Sequence, residues 1–157
     1  MMAGSHLVVG LAAWAWAAPH LGLHAASPEG VGLAALGAML PDLDHPQSWI
    51  GRRARIVSRP LAAVAGHRGF THSLLAVILC VVVLRDHGVP RAIAAPLVVG
   101  YLSHLAADLL TPAGLRLAWP ARGSWALPIC RTGSPAEPLV VALLTGWLVA
   151  RAFGMRL

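Results

Sequence analysis

From Leu74 to Leu84 the chain runs LLAVILCVVVL, eleven residues without a charge and with nothing polar except Cys80. A stretch like this has to be kept from water, either in a core or in lipid. It is one of five. Apolar segments cover roughly residues 6–26, 30–41, 70–85, 92–110 and 138–153, each bounded by proline, glycine or charge. Alanine, leucine and valine dominate them with little strict alternation, so helix fits better than strand. Too little polar sequence is left over to clothe a soluble globule. Hydrophobic residues make up 57% of the 157 and charged residues 11%, against about 25% charged in ordinary soluble domains. The expectation is a single all-α domain over 1–157, a bundle of about five short apolar helices embedded in the membrane. Thr71 or Ser73 is placed to cap the third helix, and Gly88 with Pro90 to end it. A full bilayer crossing takes about 20 apolar residues, and only the first and fourth segments approach that length.

The charge is one-sided. Twelve arginines, no lysine and six acidic residues give a net charge of +6. Such basicity could serve nucleic acid, an anionic membrane surface or an anionic substrate. A nucleic-acid reader interleaves its basic residues with polar and aromatic ones. Here the arginines sit in loops between apolar runs, so a membrane is the expected surface and direct nucleic-acid contact is not. Cys80 and Cys130 make neither a disulfide framework nor a metal-ligand spacing. The N-terminus lacks a basic region and a small-residue cleavage site, so the first segment is expected to be retained.

If all five segments cross, loops 42–69 and 111–137 share one side with Arg52, Arg53, Arg55, Arg59, Arg68, Arg116, Arg122 and Arg131. The other side keeps Arg85, Arg91, Arg151 and Arg156. The positive-inside rule then puts the two long loops and the N-terminus in the cytoplasm and the C-terminus outside. That topology gathers chemistry on one face. His6 opens the first helix; Asp42, Asp44 and His45 of LPDLDHP close the second; His67, Arg68 and His72 of GHRGFTHS lead into the third. His104 and Asp108 of YLSHLAADLL end the fourth, and Glu137 begins the fifth. His20, His24 and His87 go to the opposite side, where an interfacial anchor or cap is the simpler reading.

Alone, PDLDHP is also a helix stop with an Asx turn. His104 and Asp108, four apart, share a helical face and can bind one cation, or Asp108 can orient the imidazole. Ionisable groups in an apolar helix are costly, and functional by default. His67 and His72 are five apart and converge only if His67 lies in a loop, as Gly66 and Gly69 permit. Histidine and carboxylate oxygens are ligands for zinc and related metals. Eight candidates exceed the four ligands of a structural zinc, which favours an open catalytic site or a two-metal site activating water. Arg68 has the planar fork to bind phosphate oxygens, or it pairs with a nearby aspartate.

GSHLVVG, LPDLDHPQSWIGRR, GHRGFTHSLLAV, GYLSHLAADLLTPAGLRLAWP and LPICRTGSPAE resemble, in order, the YdjM-like family of inner-membrane proteins, described as metal-dependent hydrolases and as LexA-binding. The resemblance covers residues 4 to about 140. The family in turn looks similar to zinc-dependent phospholipases C, all-helical enzymes whose zinc ions are held partly by a histidine followed four residues later by a carboxylate. His104 and Asp108 match that pattern. No His-x-x-x-Glu occurs in the chain, which argues for one or two metals over three.

The function expected is a multi-pass inner-membrane hydrolase of a phosphate ester or phospholipid, with its site facing the cytoplasm. His6, Asp42, Asp44, His45, His67, His72, His104 and Asp108 are the expected metal ligands, some acting from behind the ligating residues. Arg68 would bind the phosphate and Asp44 is the choice for general base. The divalent metal expected is zinc, as one or two ions, with manganese or iron as alternatives. Membrane lipid and an anionic phosphoester are the expected partners, with LexA implied by the resemblance. The alternative function is a non-enzymatic membrane scaffold or regulator, associated with LexA, whose metal is structural. A metal or proton carrier would spread its ionisable groups along a path through the bilayer, whereas these collect at one end.

Overall fold

The computed structural model describes residues 1–65 and 68–155. Among the described residues six helices form in chain order: α1 Ala3–His20, α2 Pro28–Met39, α3 Arg55–Ala65, α4 Leu74–Asp86, α5 Arg91–Leu109 and α6 Ala136–Ala152. Short 3-10 turns at Leu40–Asp44 and Phe70–His72 interrupt the path after α2 and before α4. Among the described residues no strand forms, only an isolated antiparallel bridge between Leu115 and Trp125.

Local chemistry accounts for the boundaries. Ser27 caps α2 by accepting from the Gly30 amide at 3.2 Å, with Pro28 behind it in the first turn. Ser73, rather than Thr71, caps α4 through the Ala76 amide at 3.2 Å. Gly88, at φ 64°, turns the chain out of α4. The first apolar segment ends as helix at His20 instead of continuing to residue 26, because Pro19 and the left-handed Gly22 (φ 68°) close its last turn.

The inner bundle is α1, α2 and α5. The α2–α5 approach depends on glycine: a Cβ on Gly37 would stand 2.2 Å from the Leu97 carbonyl oxygen, and one on Gly100 2.2 Å from that of Ala34. Small residues that let backbones meet are how helices associate where lipid removes the hydrophobic drive between them. Trp14, Ala18 and Ala34 fill one end of this core; Tyr101, Leu105, Leu115, Ala76 and Val77 fill the other.

The outer helices look different. Only Ala76 and Val77 of α4 are buried, while Leu74, Leu75, Ile78, Leu79, Val81, Val82 and Val83 stay exposed. On α6, Leu139, Leu143 and Trp147 are likewise exposed, Leu143 by 66%. Apolar walls of this extent mark surfaces that meet a membrane or another protein. Length sets a limit, however. Among the described residues only α5 is long and apolar enough to cross a membrane, with 19 residues and a mean hydropathy of 1.5. At about 1.5 Å per residue, the 13 residues of α4 fall short of a hydrocarbon core about 30 Å thick.

The helix that apolar runs do not reveal is α3, inside the expected loop 42–69. Its arginines break any run, so only its periodicity marks it. Ile56 and Pro60 share one arc, with Val57 and Leu61 beside it; Arg55 and Arg59 flank the arc, and buried Ser58 faces the protein.

Candidate metal centre

Side chains from two helices and two 3-10 turns meet at one end of the bundle. His6 projects from the first turns of α1, Asp42 and Asp44 from the 3-10 turn after α2, His72 from the turn before α4, and His104 with Asp108 from the last turns of α5. His6, Asp44, His72, His104 and Asp108 are each at most 1% exposed. The Asp42 side chain keeps 17% exposure and that of Arg68 21%, so these two form the open side.

Among the described residues two overlapping ligand groups result. His6, His104 and Asp108 form one and Asp42, His72 and His104 the other; within each, one donor atom per residue lies within 4.8 Å of the others. His104 belongs to both. Its Nε2 stands 3.8 Å from Asp42 Oδ1 and 3.7 Å from Asp108 Oδ2, and it is buried without a hydrogen bond. His72 Nε2 lies 3.7 Å from Asp108 Oδ2 and 3.9 Å from Asp42 Oδ1. His6 Nε2 lies 3.4 Å from Asp108 Oδ1, and its ring stacks on that of His104 at 3.7 Å between centroids.

The outward nitrogens fix the tautomers. A carbonyl only accepts, so His104 Nδ1 must donate to the Ala38 carbonyl at 2.7 Å, leaving the Nε2 lone pair directed inward when the ring is neutral. His72 Nδ1 faces Asp44 Oδ2 at 3.2 Å in the same way. This is the arrangement that metal-ligating histidines adopt: one nitrogen held by a carbonyl or carboxylate, the other presented to a cation. The residues therefore fit a divalent metal. A buried nitrogen without a hydrogen bond, pointed at carboxylates by a backbone carbonyl, is costly unless something binds it.

Asp44 stands behind this centre. Its Oδ2 accepts from the Thr71 hydroxyl and from the Arg68 amide at 3.1 Å, besides meeting His72. Arg68 adopts φ 60°, a conformation costing about 1 kcal/mol or more for a residue with a Cβ. The bend delivers its amide to Asp44 and its guanidinium to the opposite wall. There Nη2 meets Asp108 Oδ2 at 3.2 Å and Nη1 donates to the Gly114 carbonyl at 3.3 Å. Of the two uses open to Arg68, the structure displays pairing with an aspartate.

The model of the YdjM inner membrane protein family matches residues 1–156. The chain belongs to that family. It is 43% identical over 123 residues to the protein named inner membrane protein YdjM of Escherichia coli (strain K12), and equally so to that of Shigella flexneri. These alignments take in 74% of the chain and 63% of each relative, so the chain spans less than two thirds of their length. It is 37% identical over 146 residues to the uncharacterized protein YvsG of Bacillus subtilis (strain 168), covering 92% of the chain and 90% of that protein. No solved structure matches.

Of the residues expected to converge on this member of the YdjM family, His6, Asp42, His72, His104 and Asp108 make up the two ligand groups. Asp44 orients from behind. His45 belongs to neither group among the described residues, its Nδ1 accepting from the Gln47 amide at 3.2 Å, and His67 falls outside the described residues. Glu137, also expected on this face, clasps α1 to α6: it accepts from the Met2 amide at 2.7 Å, and from the Ser5 hydroxyl and Gly133 amide at 2.6 Å each. Burial pushes the Glu137 carboxyl up, but these hydrogen bonds outweigh it and hold the group below its ordinary range. The Met1 amine meets Asp108 Oδ1 at 2.6 Å.

Three supporting groups were not read from the sequence. Thr71 bonds Asp44, Tyr101 donates to the Thr71 carbonyl, and Ala38 supplies the carbonyl for His104. Tyr101, one turn before His104 on the same helical face, carried a readable signal. A backbone carbonyl carries none.

Proposed function

We propose that the chain is a metal-dependent hydrolase of a phosphate ester at the cytoplasmic face of the inner membrane. The observation carrying this reading is the sharing of His104 between two ligand groups, one of which opens to solvent through Asp42. When bound, a divalent metal supplies a Lewis acid that lowers the pKa of water and screens phosphoryl charge. The chain's own residues do the rest. His6, His72, His104, Asp42 and Asp108 hold one or two ions, zinc best by donor chemistry, with manganese or iron as alternatives. Asp44 keeps His72 in the donating tautomer, and that supporting role replaces the general-base role expected from sequence. Arg68 sits at the open edge, where a phosphate could exchange for its present contacts. Eight of the twelve arginines fall on the two loops at this end, the basis for assigning it to the cytoplasm in a multi-pass topology. The likeness to phospholipases C is carried only by the His104–Asp108 spacing.

A second reading has its own observation. The Arg68 guanidinium is engaged by Asp108 and Gly114, and four of the five ligands are almost fully buried, as a structural metal in a LexA-associated scaffold would require. Metal analysis of the purified protein with a phosphoester screen, run on the parent and Arg68→Lys, separates the two. Lysine keeps the charge but lacks the fork that matches two phosphate oxygens. In an enzyme, Arg68→Lys retains metal and loses turnover by about 2–4 kcal/mol of transition-state stabilisation, the scale of one oriented donor. A metal-loaded parent that cleaves no phosphoester belongs to the scaffold.

A further inference from the structure

Three arginines surround a pocket separate from the metal centre. Arg52, Arg55 and Arg59, with Pro46 and Gln47, line a cavity of about 290 Å3. Arg55 and Arg59 are one helical turn apart on α3, and Arg52 precedes Arg55 by three residues. None of the three guanidiniums makes an ion pair or hydrogen bond among the described residues. Their neighbour Arg53 is engaged: it donates to the Trp49 carbonyl at 3.0 Å and lies over the Trp49 ring at 3.8 Å from its centroid. Like charges one helical turn apart repel, a cost that an anion bound among them would offset.

The surroundings choose among anions. Ile56, next to Arg55 on α3, is 92% exposed, and Val57 and Trp49 are about half exposed. A free phosphate has no use for such neighbours. An amphipathic helix with an apolar arc, arginines along its flank and a tryptophan alongside is what lies in the plane of a membrane interface. Guanidinium forks match phosphate oxygens, and Arg55 and Arg59, which line the pocket, also flank the arc that would enter the acyl region. We infer that Arg52, Arg55 and Arg59 form a binding site for the phosphate of an anionic phospholipid headgroup, with α3 lying on the leaflet through Ile56 and Val57. This site is independent of the proposed hydrolysis, since none of its residues belongs to the His/Asp groups.

The test uses the full-length protein in a neutral detergent. It is titrated with dihexanoylphosphatidylglycerol, dihexanoylphosphatidylcholine and inorganic phosphate, and binding is read by thermophoresis. Phosphatidylglycerol should bind at least about tenfold tighter than either of the others, and more weakly as salt rises. Combined Arg52→Gln, Arg55→Gln and Arg59→Gln should weaken phosphatidylglycerol at least about tenfold with metal content and thermal midpoint unchanged, while Arg122→Gln leaves it unaltered. Should the triple variant fold poorly, Arg55→Gln alone should weaken binding by about fivefold, the share of one arginine near an anionic surface. Inorganic phosphate binding as tightly as phosphatidylglycerol would overturn the lipid assignment. So would an undiminished triple variant, or an equal loss in Arg122→Gln, which would make the effect one of net charge.

Discussion

The two ends of the bundle use the same side chain in opposite ways. At one end His6, His72 and His104 are buried among carboxylates. At the other, His20, His24 and His87 are exposed; His20 packs its ring against Trp16 at 5.3 Å, and His87 Nδ1 bonds the Val83 carbonyl 2.9 Å away within its own helix. Both ends hold a histidine near a helix terminus, so position along a helix does not separate them. The separation lies in what stands behind each ring. His72 and His104 each have one nitrogen fixed, by Asp44 or by Ala38, and the other directed at Asp42 and Asp108, while His6 turns its Nε2 to Asp108 and stacks on His104. Of the exposed ones, His20 and His87 touch residues of the helix they end, and His24 lies in the connection between α1 and α2.

The largest effect should come from the ring that both ligand groups share. His104→Ala removes a donor from each group at once and leaves Asp42 and Asp108 facing each other across a hole. Bound metal should fall at least roughly tenfold, the usual scale for losing a ligand. Elemental analysis of the purified variant measures it. Stoichiometric metal in His104→Ala would dissolve the distinction between the two ends.

Removing the unshared rings sharpens the same comparison. His6 serves only the group with Asp108, and His72 only the group with Asp42. If two ions bind, His6→Ala and His72→Ala should each lose about one equivalent and keep the other. If a single ion sits nearer one group, one variant loses it and the other does not. Equal and complete loss in both would make the groups a single centre.

Much of this was legible beforehand because polar residues in apolar sequence are conspicuous. His104 and Asp108 announce themselves by their spacing on one face of α5, and LPDLDHP by placing two carboxylates at the stop of α2. The helix α3 stayed hidden, since Arg55 and Arg59 interrupt the apolar run on which the five segments were based. Asp44 and Asp42, two residues apart, look alike in sequence; the 3-10 turn points one at the ligand cluster and the other at Thr71 and the Arg68 amide. Glu137 was placed on the right face but has another task, because the Met2, Ser5 and Gly133 donors that claim it meet it only in the folded chain. What sequence cannot carry is the carbonyl of Ala38, which has no side chain to advertise it.

Asp44→Asn should have a smaller effect than loss of a ligand. The amide is nearly isosteric but exposes an NH2 or a weaker acceptor to His72 Nδ1, to Thr71 and to the Arg68 amide. Metal affinity should drop by about tenfold, as for other residues that orient a ligand, and the loss should be deepest in whichever group contains His72. Combined with His72→Ala, it should add little, because its effect on metal passes through that ring. Full additivity of the two would give Asp44 a direct role at the metal.

The smallest effect is expected at the far end, and it decides whether the comparison is about histidine or about burial. His20→Ala and His87→Ala each remove an exposed ring that touches neither ligand group. His20→Ala gives up a tilted contact with Trp16; His87→Ala gives up a hydrogen bond to Val83 that water can replace. Exposed substitutions of this kind usually change stability by no more than about 0.5 kcal/mol. Metal content should be identical to the parent, and the thermal midpoint should move by no more than a few degrees. Thermal denaturation alongside elemental analysis checks both. A fall in bound metal from either variant would mean that the far end also holds an ion, and with it that the bundle carries ligands along its length. The transport reading set aside because the ionisable groups gather at one end would then return.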